Sequence, residues 1–195
     1  MDIRNRCAIE LPGWVTAWAR ENGQGLTDPD SRMAFVIELS AENVRRGSGG
    51  PFAAAIFDPR SNGPISLGVN LVTSSGLSMA HAEMVAISLA QERLGNWDLK
   101  TQGSLALYSS CEPCAMCFGA VPWSGVSSLV CGASKSDAES AGFDEGHKPA
   151  DWRQGLQARG IDVVTGLLRE RAAEVLQTYR QRGGPIYNPG QAPVE

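Results

Sequence analysis

The chain has 195 residues, 43% of them hydrophobic and 19% charged, and its 17 Lys and Arg against 21 Asp and Glu give a formal net charge of −4. That length suits one well-buried α/β domain and is short for two, and the acidic balance without a dense basic cluster disfavours a partner held through its phosphates. No run has the length and apolarity of a membrane span or a secretion signal, and the odd count of five cysteines suits metal binding in a reducing compartment, so a cytoplasmic protein is expected.

In chain order, residues 1–29 read as a lead-in packed on the domain, with a short helix over 14–20 whose tryptophans are packing residues. Apolar positions at helical spacing predict a first core helix over 31–46. Residues 52–57 and 65–72 read as an antiparallel hairpin joined by a turn-rich connection. In its second strand Ile65, Leu67, Val69 and Leu71 share one face, which sends Asn70 to the other face with Ser66 and Gly68. A buried amide there needs a partner, and a strand-end asparagine satisfied by backbone is the plain alternative.

A helix follows through residue 94, with Ser78 as its expected cap. A strand at 105–108 leads into a cysteine-bearing helix with Pro113 at its first position. Short strands at 126–131 and 161–164 come next. A last helix, with Leu168, Ala172, Val175, Leu176 and Tyr179 on one face, is closed by Gly183 and Gly184. This order predicts a three-layer α/β/α sandwich with a five-stranded mixed sheet, spanning residues 30–182, between the lead-in (1–29) and a tail (183–195).

Two short motifs carry chemistry: His81-Ala82-Glu83, and Pro113-Cys114-Ala115-Met116-Cys117 some thirty positions later. One imidazole and two thiolates supply three corners of a tetrahedral zinc site, and the open fourth corner distinguishes a catalytic zinc from a structural one. A helix start favours the thiolate form. Glu83, two positions past the histidine, is placed to take a proton from water in the open corner, whose pKa zinc lowers towards about 7. Cys111 or His147 could instead close a structural site, and Asp144 with Glu145 could be a solvated acidic turn. Cys7 and Cys131 read as free thiols.

The pairing of H-x-E with P-C-x-x-C is the signature of zinc nucleobase deaminases. Together with Pro51-Phe52-Ala53-Ala54-Ala55, Gly68-Val69-Asn70 and Gly142-Phe143-Asp144-Glu145-Gly146, it resembles the bacterial guanine deaminases of the cytidine/deoxycytidylate deaminase-like superfamily. The resemblance implies one Zn²⁺ per subunit on His81, Cys114 and Cys117, with Glu83 as proton shuttle and Glu145 as a substrate-facing second acid/base. It also implies Phe52, Asn70, Ala82, Trp123 and Tyr187 around the base, a homodimer, and hydrolysis of guanine to xanthine and ammonia. The loop at 74–79 departs from the family's usual turn. Other readings are a deaminase of a related ring (an s-triazine, a pterin, a cytosine-like base or guanosine), a tRNA adenosine deaminase, and a catalytically silent zinc-stabilised binding module. No nucleic-acid or membrane partner is expected from the acidic composition.

Overall fold

A computed structural model describes residue 3 and residues 5–190; the expectations for Met1, Asp2 and Arg4 in the lead-in and for 191–195 in the tail lie outside the described residues. The elements are α1 (Gly13–Asn22), α2 (Pro29–Arg45), β1 (Ala53–Phe57), β2 (Pro64–Val69), α3 (Val72–Ser75), α4 (Ala82–Leu94), β3 (Ala106–Cys111), α5 (Ala115–Ser124), β4 (Ser128–Ala133), α6 (Lys135–Ala141), α7 (Trp152–Gln157), β5 (Asp162–Val164) and α8 (Arg169–Gln181). The five strands run in the order β2-β1-β3-β4-β5. β1 is antiparallel to β2 and β3, whereas β3, β4 and β5 are parallel, which makes the sheet mixed as expected.

Alternation along each strand divides the interior into two cores. Ala53, Ala55 and Phe57 of β1, with Tyr108 and Val130, face a core shared with α1, α2 and α8. Ala54 and Ile56, with Leu107, Leu129 and Cys131, face the opposite core, shared with α4, α5 and α7. Cys131 is fully buried there. The lead-in is fastened by Val15, which has no exposed surface, and by Trp18, whose ring lies tilted 5.0 Å from that of Phe35. Trp14 donates its indole N–H to Ser48 Oγ at 2.8 Å, so both tryptophans pack. Among the described residues no helix is long and apolar enough to cross a membrane.

The second hairpin strand departs from the expected pattern in two places. The β1–β2 register slips between Ile56 and Phe57, leaving Ile65 as the bulged residue. Ile65 packs in the α4-side core while Leu67, Val69 and Leu71 lie in the other, because one extra residue in a strand reverses the facing of what precedes it. The strand also stops at Val69, where Asn70 Oδ1 accepts the backbone N–H of Val72 at 3.2 Å and turns the chain into α3.

Helix α4 lies unusually close to β2. A Cβ on Gly68 would come 2.0 Å from the carbonyl oxygen of Ala82 and 2.6 Å from the amide nitrogen of Ala86. Ala82, Ala86 and Ala90, four apart on one buried stripe, keep the helix equally bare on its side. Ser66 Oγ donates to the Ala86 carbonyl at 2.6 Å and locks the contact.

On the other side of the sheet, α6 and α8 are tied through Asp137. Its carboxylate accepts from Ser134 N at 2.8 Å to complete a capping box, and receives a bidentate pair from Arg169 at 2.8 and 3.0 Å. The Arg169 guanidinium, with the Ser134 bonds, holds this carboxyl well below its ordinary value.

Two outcomes are expected. Gly68→Ala overpacks the β2–α4 contact, costs about 1–3 kcal/mol in denaturant unfolding, and lowers zinc content, since the displaced segment begins at His81. Asp137→Ala costs about 1 kcal/mol at pH 7. Because the folded-state pKa of Asp137 is depressed, the stabilisation is present above the unfolded pKa near 3.8 and fades as pH falls below it. Unfolding curves of parent and variant should therefore converge on acidification.

Candidate active site

Two helix starts meet over one point. His81 is the N-cap of α4 and Cys114 the N-cap of α5, each with extended backbone (φ −72°, ψ 152° and φ −63°, ψ 174°) and neither side chain capping its own helix. Ser78 and Pro113 are therefore not the cap and first position, and each helix begins later than expected. The physical reason is visible in the side chains, which turn away from the helix amides towards each other. His81 Nδ1 lies 3.5 Å from Cys114 Sγ and 3.6 Å from Cys117 Sγ.

Those separations test the metal. Tetrahedral geometry with Zn–S near 2.3 Å and Zn–N near 2.0–2.1 Å places sulfur and nitrogen about 3.6 Å apart. The observed contacts agree, and His81, Cys114 and Cys117 are the metal-capable group among the described residues. Cys111 takes no part: its buried Sγ points to the Ser134 carbonyl at 3.6 Å, and burial raises its pKa, keeping it a thiol. His147 is exposed. The closed four-ligand site considered from sequence is thus not formed, and three ligands leave a corner open.

The two thiols are pushed in opposite directions. A hydrogen bond from Cys117, helped by His81, brings Cys114 down to about 4, while the Cys114 thiolate and burial push Cys117 well up. Both bind a divalent cation as thiolates. Burial works against a charged His81, yet the Cys114 thiolate, Glu83 and Glu145 outweigh it and hold the imidazole above its ordinary value. Glu83 is 6% exposed, with Oε1 accepting from Ser109 Oγ at 3.3 Å and Oε2 3.4 Å from Cys117 Sγ. Burial first, then the Cys114 charge, raises its pKa.

These groups open into a cavity of about 360 Å³, at the small end of ligand pockets. Across it lies Glu145, 5% exposed, with Oε2 making no hydrogen bond among the described residues. Burial first, and then the Cys114 and Glu83 charges, push its carboxyl up to about 8. Its neighbour Asp144 is exposed and folds back to accept the Gly146 N–H at 2.8 Å. The acidic turn expected from sequence is therefore split, with one carboxylate outside and one in.

Asn70 is 1% exposed and lines the same cavity, its Oδ1 occupied by the Val72 N–H. Asn43 holds it from behind, donating to the Asn70 and Gly50 carbonyls at 3.0 and 2.9 Å. An aromatic wall is made by Phe52 edge-on to Phe143 at 4.9 Å, with Tyr187 5.3 Å further along. Tyr187, Asn188 and Pro189 of the tail line the cavity of their own chain. Asn188 pins the Glu145 loop by accepting from Asp144 N and donating to the Gly142 carbonyl, both at 2.9 Å.

Two expected contacts are not brought in. Trp123 is 78% exposed on α5, and Ala82 is fully buried against β2; neither lines the cavity. Ser109 and Asn188, which touch the site, carry no motif; isolated residues of these types read as ordinary strand or tail positions.

Residues 27–133 match the family described as the cytidine and deoxycytidylate deaminase zinc-binding region. The chain is 40% identical over 123 residues to the guanine deaminase of Bacillus subtilis, covering 60% of this chain and 76% of that protein. It is 30% identical over 155 residues to the tRNA-specific adenosine deaminase of Haemophilus influenzae, covering 78% of this chain and 83% of that one. A solved structure of guanine deaminase from Nitrosomonas europaea superposes with a TM-score of 0.85 at 45% identity, covering 93% of this chain and all (100%) of the other. With the ligand triad, the open corner and the buried carboxylate already in place, these matches make the chain a member of the cytidine and deoxycytidylate deaminase family of zinc-dependent enzymes.

Proposed function

We infer that the chain hydrolyses guanine to xanthine and ammonia. The observation that carries this is Glu145: a buried carboxyl with an unpartnered oxygen, in a cavity with no Lys or Arg in its described lining. Such a site suits a flat, phosphate-free ring that presents N–H donors along one edge. The same lack of cations disfavours a nucleotide or the anticodon loop of a tRNA, whose phosphates need neutralising. The guanine deaminases among the relatives support the ring's identity.

Bound zinc supplies a Lewis acid that lowers the pKa of water in the open corner. Everything else falls to the chain. Glu83, steadied by the Ser109 hydroxyl, takes the two protons of the attacking water in turn and passes one to the ring nitrogen and the other to the departing amine; its burial-raised pKa suits a group that must hold a proton between transfers. Burial, and then the charge of the Cys114 thiolate, raise the Glu145 carboxyl to about 8, and positive charge placed between the cysteines draws it down towards the ionised form that accepts from ring N–H groups. Asn70 offers its amide to the ring, and Phe52 stacks on its face and excludes water.

The tail beyond residue 182 serves as a flap, carrying Tyr187 to the cavity wall. The protein is a cytoplasmic homodimer in this reading, supported by the exposure of Met116 (39%) and Trp123 (78%) on α5, an apolar surface suited to a second copy. Trp123 then borders the neighbour rather than the base. Sedimentation at micromolar concentration tests this, and a monomer would remove it.

Glu83→Gln should keep stoichiometric zinc and lose turnover towards the upper end of the roughly 10²- to 10⁴-fold range for general acid/base help. Cys114→Ala should lose zinc and soluble, folded protein together, with Cys7→Ser, at an exposed position, keeping both. Full zinc in the Cys114 variant would refute the ligand set.

Ammonia release from guanine is expected to fall at least about 10²-fold in kcat for Glu145→Gln, because a buried acceptor matched to ring donors is lost. Asp144→Asn should change it far less, since that side chain serves only its own turn. Parent-like turnover in the Glu145 variant would sink the guanine reading.

A further inference from the structure

Lys148 has no part in the chemistry above, and its position is unusual for a lysine. Its side chain is 2% exposed, whereas lysine is among the residues least often buried. Nζ donates to the Pro113 carbonyl at 2.5 Å, lies 4.0 Å from Glu112 Oε2, and sits 4.8 Å over the Trp152 ring. Pro113 is the residue immediately before Cys114.

The residue immediately after Cys114 is held from the same loop. Ala115 donates its N–H to the carbonyl of Glu145 at 2.9 Å, three positions before Lys148. Between them Gly146 adopts φ +66° and lies so close that an added Cβ would meet the Ala115 Cβ at 2.9 Å. The segment 145–148 is thus fastened on both sides of a metal-binding cysteine. One fastening is a backbone bond at Glu145, and the other is the ammonium of Lys148. A buried ammonium is costly unless it is paired, so the site sustains this arrangement only with Glu112 and Trp152 closing around it.

We propose that Lys148 is a positioning residue: by clamping the 145–148 segment to the Pro113 carbonyl it sets where the Glu145 carboxyl stands relative to Cys114 and Cys117. It touches neither the ring nor the reacting atoms and works through Glu145. The proposal therefore rests on the reading of Glu145 as the substrate-facing carboxylate. A lysine present merely to stabilise the fold would instead affect every reaction step alike, whatever stood at 145.

The test is a double-mutant cycle on the full-length, zinc-loaded chain, with guanine as substrate. Lys148→Met is expected to keep one zinc per chain, lower kcat about tenfold, and change KM less than threefold. In a Glu145→Gln background the same substitution should have no further effect on kcat. Hydrogen exchange supplies a second readout: the amide of Ala115 should exchange faster in Lys148→Met and at the parent rate in Glu145→Gln. Where Lys148→Met does not fold, Lys148→Gln, which keeps a donor for the Pro113 carbonyl, is taken through the same cycle.

An equal loss of kcat in both backgrounds would overturn the proposal, as would unchanged exchange at Ala115. Loss of zinc or of the folded state in both variants would also overturn it, since Lys148 would then hold the metal site rather than Glu145. Parent-like turnover in the Glu145→Gln single variant would remove the Glu145 reading and this proposal with it, a result the single variant shows by itself.

Discussion

The contact between Gly68 and the first turn of α4 is the constraint on which the site depends. A side chain on β2 at that point would push the helix outward, and with it His81 and Glu83, the two residues that α4 brings to the cavity. Cys114 and Cys117 come from a different connection, the exit of β3 into α5. Two independent chain segments must therefore arrive within about 0.2 Å of the separation that tetrahedral ligation requires. Small residues do this better than large ones: an alanine stripe against a glycine leaves the backbones themselves in contact, with no rotamer to vary.

The second governing influence is charge. A thiolate, Glu83 and Glu145 crowd one small cavity, and His81 and Lys148 are the cations that act on Glu145 from within the chain. Left to themselves the acids respond by keeping protons, which is why Glu83 and Glu145 are both raised. A divalent ion on His81, Cys114 and Cys117 changes this balance, so metal binding and the readiness of the acids for proton transfer are one electrostatic problem.

Much of this was legible in the sequence because the signals were local. H-x-E and P-C-x-x-C name the ligands, and alternation with helical spacing orders the layers. The misplacements also have physical causes. Ser78 and Pro113 looked like helix starts by residue preference, but the ligand residues themselves occupy the N-caps and aim their side chains at each other. Ile65 was set on the wrong face because a bulge leaves no mark in hydrophobic alternation. Trp123 looked like a pocket residue through resemblance alone, while its exposure follows from the face of α5 it occupies. Lys148 and Asn43 were invisible because a lysine and an asparagine ordinarily belong to the surface, and what buries them is tertiary.

The cavity wall also has a history written into the order of the chain. Tyr187 lies against Gly50, where an added Cβ would meet its hydroxyl at 2.3 Å, so two positions far apart in the sequence come into contact. During synthesis from the N-terminus, all three metal-ligating residues have been added to the chain once α5 is made. Phe143, Glu145 and Tyr187, which shape the substrate side, are added afterwards. A nascent chain thus owns a complete set of metal ligands well before it owns a place to put a base, and the capture of metal can precede the completion of specificity.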